Sequence, residues 1–231
     1  MTKNIFITGA SRGIGLELTR QYLSGGDRVY AGARNPGCDA LTALKSEHPN
    51  TLTPVALDVT DAASIAAAVG TLGDTPIHLL INNAGIFKSK PTELDTLDEG
   101  TWLEEFRVNS ISPLMVTRAL KSNLVAAGSS VVGMMSSKMG SIGDNTSGGD
   151  YSYRSSKAAL NAVSVSLAKD LAELGISVIA MHPGWVQTDM GGPNALIDVP
   201  TSAKGLRALL DKADLSVSGQ FFDYSGTALP W

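Results

Sequence analysis

Short apolar runs alternate with longer helix-period stretches along almost the whole chain. This alternation limits the fold more than any other feature. β-rich runs fall at residues 5–8, 28–32, 52–57, 77–82, 130–135, 176–182 and 219–223. Helical patterns lie between them at 13–24, 39–47, 61–72, 98–109, 113–127, 151–174 and 201–211, with Thr60 or Asp61 suited to cap the third. The strand runs are continuously apolar, as strands buried on both faces of a parallel sheet must be. The expectation is an α/β doubly wound sheet of about seven mostly parallel strands, flanked by helices on both faces. At 43% hydrophobic residues, the 231-residue chain can supply one such core. No tandem repeat, low-complexity tract or Pro/Ser linker divides it, so a single domain over 1–231 is expected.

Charge and cysteine usage narrow the function classes. A net charge of −4 gives no sign of a nucleic-acid or anionic-membrane surface. The one cysteine, Cys38, excludes an internal disulfide framework and fits a reducing compartment. His48, His78 and His182 have no metal-ligand spacing, so no metal is expected. The N-terminal stretch lacks a signal-peptide h-region and no apolar run is long enough to span a membrane, which points to a cytoplasmic protein.

The first strand runs into Thr8-Gly9-Ala10-Ser11-Arg12-Gly13-Ile14-Gly15 and then a helix. Such a turn aims backbone N–H groups and a helix N-terminus at a phosphate, making the sheet Rossmann-type. The spacing alone is also that of a tight βα turn. The other strand ends add weight. Asp58, after the third strand, can accept from an adenine amino group, and Asn82-Asn83-Ala84-Gly85 can let backbone approach a ribose. The second strand ends in Ala33-Arg34, with no acid until Asp39. An acid there would accept from a ribose 2′-hydroxyl; Arg34, with Arg12 in the glycine turn, suits a 2′-phosphate instead. The expected cofactor is NADP(H).

Far downstream stands Tyr153-Arg154-Ser155-Ser156-Lys157. A Tyr and a Lys four apart share one helix face. The fixed ammonium is expected to lower the phenol pKa from its ordinary ~10 and make Tyr153 a usable acid and base. Tyr151 has Ser155 at the corresponding turn and lacks that partner.

In this order and spacing, the chain resembles the short-chain dehydrogenase/reductases over essentially its whole length. The motifs are Thr8 to Gly15, Asp58, Asn82 to Gly85, Asn109, Ser136-Ser137, Tyr153 to Lys157 and Pro183-Gly184-Trp185-Val186-Gln187-Thr188. Tyr151 to Asn161, His182 to Gly192 and Tyr224-Ser225-Gly226-Thr227 resemble a narrower group, the Sniffer-type carbonyl reductases and C-factor-like reductases. The resemblance implies a cofactor-binding part over about 1–110 and a catalytic and substrate-binding part over about 111–231. It implies cofactor contacts from Gly9, Ser11, Arg12, Gly13, Ile14, Gly15, Arg34, Asp58, Val59, Asn83, Ala84, Gly85, Tyr153, Lys157, Pro183, Gly184, Val186 and Thr188.

It also implies a catalytic set of Asn109, Ser137, Tyr153 and Lys157. Tyr153 would give a proton to a carbonyl oxygen, Lys157 would tune it and hold the nicotinamide ribose, Ser137 would steady the developing charge, and Asn109 would hold a water linking Lys157 to solvent. Asn109 could instead be a helix-terminating residue. The stretch from Ser137 to Tyr153 is longer than is usual in the family, the excess falling in residues 143–150, so Ser136 is the reserve. That loop is expected to border the substrate cleft. Residues 189–200, rich in Gly and Pro, are expected to form a mobile lid. Met139, Trp185, Met190 and Leu196 could offer an apolar surface to a substrate.

The expected function is NADPH-dependent reduction of a small-molecule carbonyl by a homodimer, or a tetramer. One rival is an NADP(H)-binding signalling or sensor protein of the C-factor type; another, disfavoured by Arg12 and Arg34, is an oxidative NAD-dependent alcohol dehydrogenase.

Overall fold

The computed structural model describes residues 2–88 and 94–231. They form one seven-stranded sheet in the order β3-β2-β1-β4-β5-β6-β7. The strands are β1 (Asn4–Thr8), β2 (Arg28–Ala33), β3 (Leu52–Ala56), β4 (Leu79–Asn82), β5 (Ser130–Met135), β6 (Ile176–His182) and β7 (Phe221–Asp223). Every pairing is parallel.

Successive side chains of each strand serve opposite faces. Ile5, Ile7, Leu79, Ile81, Ile179 and Met181 enter one core with α1 (Gly13–Ser24), α2 (Asp39–Glu47) and α8 (Val199–Lys212). Phe6, Leu80, Val132 and Val178 enter the other with α3 (Ala62–Leu72), α5 (Ser112–Ala119), α6 (Lys121–Ala126) and α7 (Tyr151–Leu171). Both faces are covered, which is why the strands read as unbroken apolar runs.

Two helices differ from expectation. The stretch expected as one helix to residue 109 is α4 (Glu99–Phe106) followed by a π-helical turn, Arg107–Ile111. Pro113 has no N–H to return to the carbonyl four residues back, and Ser112 Oγ bonds Arg107 O at 2.7 Å, so the ladder re-registers with one extra residue. The stretch expected as one helix over 113–127 breaks at Leu120 into α5 and α6. Asp61 caps α3 by accepting from Ala63 N.

Strand order reverses between β1 and β4. In an open parallel sheet this opens a crevice at the carboxyl ends of the strands, where ligands bind. Parallel direction also gathers the ends of β1 to β6, with Gly9 to Gly15, Arg34, Asp58, Asn83 to Gly85, Ser136-Ser137 and His182 to Thr188, along one edge. Among the described residues no helix is long and apolar enough to cross a membrane, and no group of three or more His, Cys, Asp or Glu could hold a metal ion.

Candidate active site

The glycine turn is built against the end of β4. Gly9 and Gly13 have φ of +66° and +53°, the left-handed region that glycine tolerates. A Cβ on Gly15 would lie 2.4 Å from Gly9 O and 2.5 Å from Asn83 Nδ2, leaving no room for any other residue. Asn83 Nδ2 donates to Thr8 O and Gly9 O, while Asn83 N and Ala84 N both donate to Thr8 Oγ1. Asn83 therefore stitches the turn to β4. The glycines let the turn close tightly against β4 ahead of the N-terminus of α1, an arrangement that fits a pyrophosphate there.

Arg34 is exposed directly after β2. Arg12, also expected at a 2′-phosphate, donates to Asp189 at 2.9 Å; with side chains 74% and 81% exposed, the pair holds weakly. Asp58 Oδ1 accepts from Thr60 N and Thr60 Oγ1. These bonds, ahead of the Arg34 and Arg107 charges, hold its carboxyl below the usual range.

Ser137, Tyr153 and Lys157 come together under a cavity of about 440 Å³. Its lining includes Ile14, Gly184, Val186 and Thr188 near the glycine turn, and Phe87, Ser137, Met139, Tyr153, Trp185 and Met190. Leu196, expected on the apolar surface, is not part of that lining and is 78% exposed. Ser137 hydrogen-bonds the Tyr153 hydroxyl. Ser136 is occupied elsewhere, its hydroxyl donating to Asn161 Oδ1 at 2.5 Å.

The expected lowering of the Tyr153 pKa by Lys157 does not occur. Burial dominates and pushes Tyr153 up to about 12, the Ser137 bond working against it and the Glu105 charge with it. Lys157 Nζ is 5.7 Å from the Tyr153 ring centroid and donates to Met135 O at 2.8 Å. Burial drives Lys157 itself down to about 8, with Glu105 opposing. Low dielectric disfavours both charged forms, the phenolate and the ammonium.

Asn109 sits in the π-helical turn, fully buried. Its Oδ1 accepts from Ile86 N at 2.9 Å, and its Nδ2 donates to Ile86 O at 2.9 Å and Ser156 Oγ at 3.1 Å. A Cβ on Gly85 would lie 3.3 Å from Asn109 Oδ1 and 3.6 Å from Lys157 Nζ, so both groups flank the same glycine.

The loop over 143–150 borders the cavity through Asp144, Thr146 and Ser147. Arg154, next to Tyr153, fastens it by donating to Gly148 O, Ser147 Oγ and Met139 O. The segment expected to form a lid makes hydrogen bonds to the residues after β6. Gln187 N donates to Ile197 O and Gln187 Nε2 to Ala195 O, while Trp185 Nε1 reaches Gly191 O at 2.8 Å. Gly191 serves close packing, since a Cβ there would strike Val186 O, and Gly192 takes a φ of +80°.

Three site residues escaped the sequence reading. Phe87 stacks on Tyr153, Glu105 is a fully buried carboxylate, and His182 lines the cavity with burial driving its pKa down to about 4. Glu105 had one faint signal, its place one helical turn before Asn109.

Residues 3–195 match the family model described as short chain dehydrogenase. The C-signal of Myxococcus xanthus is 42% identical over 156 residues, covering 68% of this chain and 93% of that protein. The NADPH-bound carbonyl reductase from chicken fatty liver superposes with a TM-score of 0.92 at 33% identity, covering 100% of this chain and 99% of that one. The carbonyl reductase Sniffer of D. melanogaster gives a TM-score of 0.94 at 32% identity, with 100% of both chains covered.

Proposed function

Because the chain belongs to the short-chain dehydrogenase family, we propose that it is an NADPH-dependent carbonyl reductase with Tyr153 as general acid. The observation that carries this reading is the meeting of the Ser137 and Tyr153 hydroxyls in a cavity that Ile14, Val186 and Thr188 also line. One set of residues serves a proton donor and the other a cofactor, in a single space. The likeness to two carbonyl reductases, one of them NADPH-bound, supports the same reading.

In this proposal Gly9, Ser11, Gly13, Ile14 and Gly15 hold the pyrophosphate. Arg34, with Arg12 once released from Asp189, holds the 2′-phosphate. Asp58, Val59, Asn83, Ala84 and Gly85 border the adenosine and its ribose, and Pro183, Gly184, Val186 and Thr188 the nicotinamide. NADPH, when bound, supplies the hydride that reduces the carbonyl carbon.

The chain's own residues handle the proton. Ser137 Oγ and Tyr153 Oη donate to the carbonyl oxygen, steadying negative charge as it develops. Tyr153 Oη releases its proton there, and a pKa near 12 keeps that proton in place until the oxygen demands it. Lys157 Nζ passes on the replacement proton, which reaches it from solvent through a water held at Asn109; both side chains lie beside Gly85. The protein acts in the cytoplasm as a homodimer, with a tetramer as the alternative.

The test is a panel of aldehydes and ketones with NADPH and NADH side by side, repeated on Tyr153→Phe. Turnover with NADPH that disappears in the variant, with NADPH affinity retained, is the expected result. The likeness to the C-signal favours one rival, a protein that binds NADP(H) and signals without appreciable turnover. Tight NADPH binding with no carbonyl reduced across the panel selects it.

A further inference from the structure

We propose that Phe87 is a positioning residue for Tyr153, and that the buried carboxylate of Glu105 holds it in place. The inference rests on Tyr153 being the general acid. The Phe87 and Tyr153 rings lie face to face, with centroids 4.1 Å apart and planes 16° from parallel. Tyr153 reaches its place from α7, and Phe87 from the segment after β4. Nothing local fixes their meeting.

A brace from α4 does so. Glu105 and Asn109 stand four residues apart, one near the end of α4 and the other in the π-helical turn. Asn109 pins residue 86 through both its N–H and its carbonyl. Glu105 Oε1 accepts from Lys88 N at 2.7 Å. Residues 86 and 88 are thus fixed on either side of Phe87, and the ring between them is presented to Tyr153. Glu105 is 0% exposed. Burying a carboxylate is costly, and the bond from Lys88 N offsets part of that cost. A second link, Trp102 Nε1 to Ser155 Oγ at 2.9 Å, ties α4 to α7 and keeps the two sides in register.

The brace has a chemical consequence. Among the described residues, Lys157 on its own helix lies 5.7 Å from the Tyr153 ring and the Glu105 charge on α4 acts on its hydroxyl, while Lys138, Asp144, Arg154 and His182 line the same cavity; Ser137 and Phe87 are neutral. Replacing Phe87 therefore changes water access and ring orientation without changing charge. A wetter phenol titrates closer to the ordinary ~10.

Fluorotyrosine labelling and fluorine NMR read this directly. The chain has five tyrosines, and the Tyr153 line is the one lost in Tyr153→Phe. Phe87→Leu is expected to move that line and lower its titration midpoint by about half a pH unit or more. Turnover should fall about tenfold through lost orientation, with KM within about twofold of wild type. Phe87→Tyr, which keeps a flat ring, should restore both. Glu105→Leu should reproduce the Phe87→Leu effects, and Glu105→Gln, which keeps an acceptor for Lys88 N, should largely rescue them. Should Glu105→Leu not fold, Lys88→Pro removes the bonded N–H at an exposed residue and tests the same link.

A raised KM with turnover and the Tyr153 line unmoved would reduce Phe87 to a wall of the substrate cleft and overturn the proposal. An unmoved line in Glu105→Leu or Lys88→Pro overturns the brace. The titration needs no substrate. If wild type reduces no carbonyl, the proposed function falls, and the fluorine lines still decide the positioning.

Discussion

Lys157 carries its charge where the surroundings disfavour it. It is 4% exposed, and burial draws its pKa from the ordinary 10.5 to about 8. That difference corresponds to on the order of 3 kcal/mol of fold stability given up at neutral pH, partly returned by the bond to Met135 O. The sign is that of a depressed pKa: the unfolded chain binds the proton more tightly, so the cost is present below about 8 and fades as pH rises towards 10.5. Lys157→Met should therefore melt no lower than wild type at pH 7, and wild type should gain on it across that window. Thermal melts over the pH series check this, and a variant that melts well below wild type at pH 7 contradicts it. Arg34→Asp should shift preference from NADPH towards NADH. Losing a charge-assisted contact to a phosphate costs about 1.5–3 kcal/mol, or roughly ten- to a hundredfold in affinity. Dissociation constants for both cofactors decide it; unchanged NADPH affinity would make Arg34 a solvated surface arginine.

At the level of elements, the junctions carry the site. The turn between β1 and α1 tolerates no side chain at Gly15, where a Cβ would meet Gly9 O at 2.4 Å and Asn83 Nδ2 at 2.5 Å. Gly15→Ala should cost about 1–3 kcal/mol by overpacking and weaken NADPH binding more than it lowers the melting temperature would suggest. Calorimetry of binding, set beside a melt, separates the two effects. Arg154→Ala should release the loop over 143–150 from α7, since all three of its bonds run to that loop or to Met139. The expected outcome is a raised KM with Tyr153 chemistry little altered, read from steady-state kinetics. The junction after α4 was the least legible. A π-helical turn differs from an α-helix by one inserted residue, and the apolar period either side hardly registers it. Pro113 was the visible cause, but its effect depended on Ser112 turning back to Arg107 O.

For the whole molecule, the parallel sheet brings residues far apart in the sequence to one edge, and α4 with the turn after it leaves apolar surface outward. Leu103 is 63% exposed and Ile111 52%. If this surface joins two copies, light scattering should give a dimer mass, and Leu103→Asp combined with Ile111→Asp should give a monomer. A monomeric wild type defeats the idea. The chain by itself determined the alternation of elements, the doubly wound sheet, the glycine turn and the order in which site residues follow the strand ends. These are set by local period, by backbone freedom at glycine and by chain direction, all of which are written residue by residue. Tertiary structure alone decided the rest. It turned Ser136 to Asn161 and Ser137 to Tyr153, two neighbours of which the resemblance favoured Ser137 with Ser136 in reserve. It bonded the Gly- and Pro-rich segment after Thr188 to Trp185 and Gln187, set Phe87 on Tyr153 and buried Glu105. It also pushed the Tyr153 pKa up rather than down, because desolvation depends on everything packed around a group, whereas spacing along a helix reports only one neighbour.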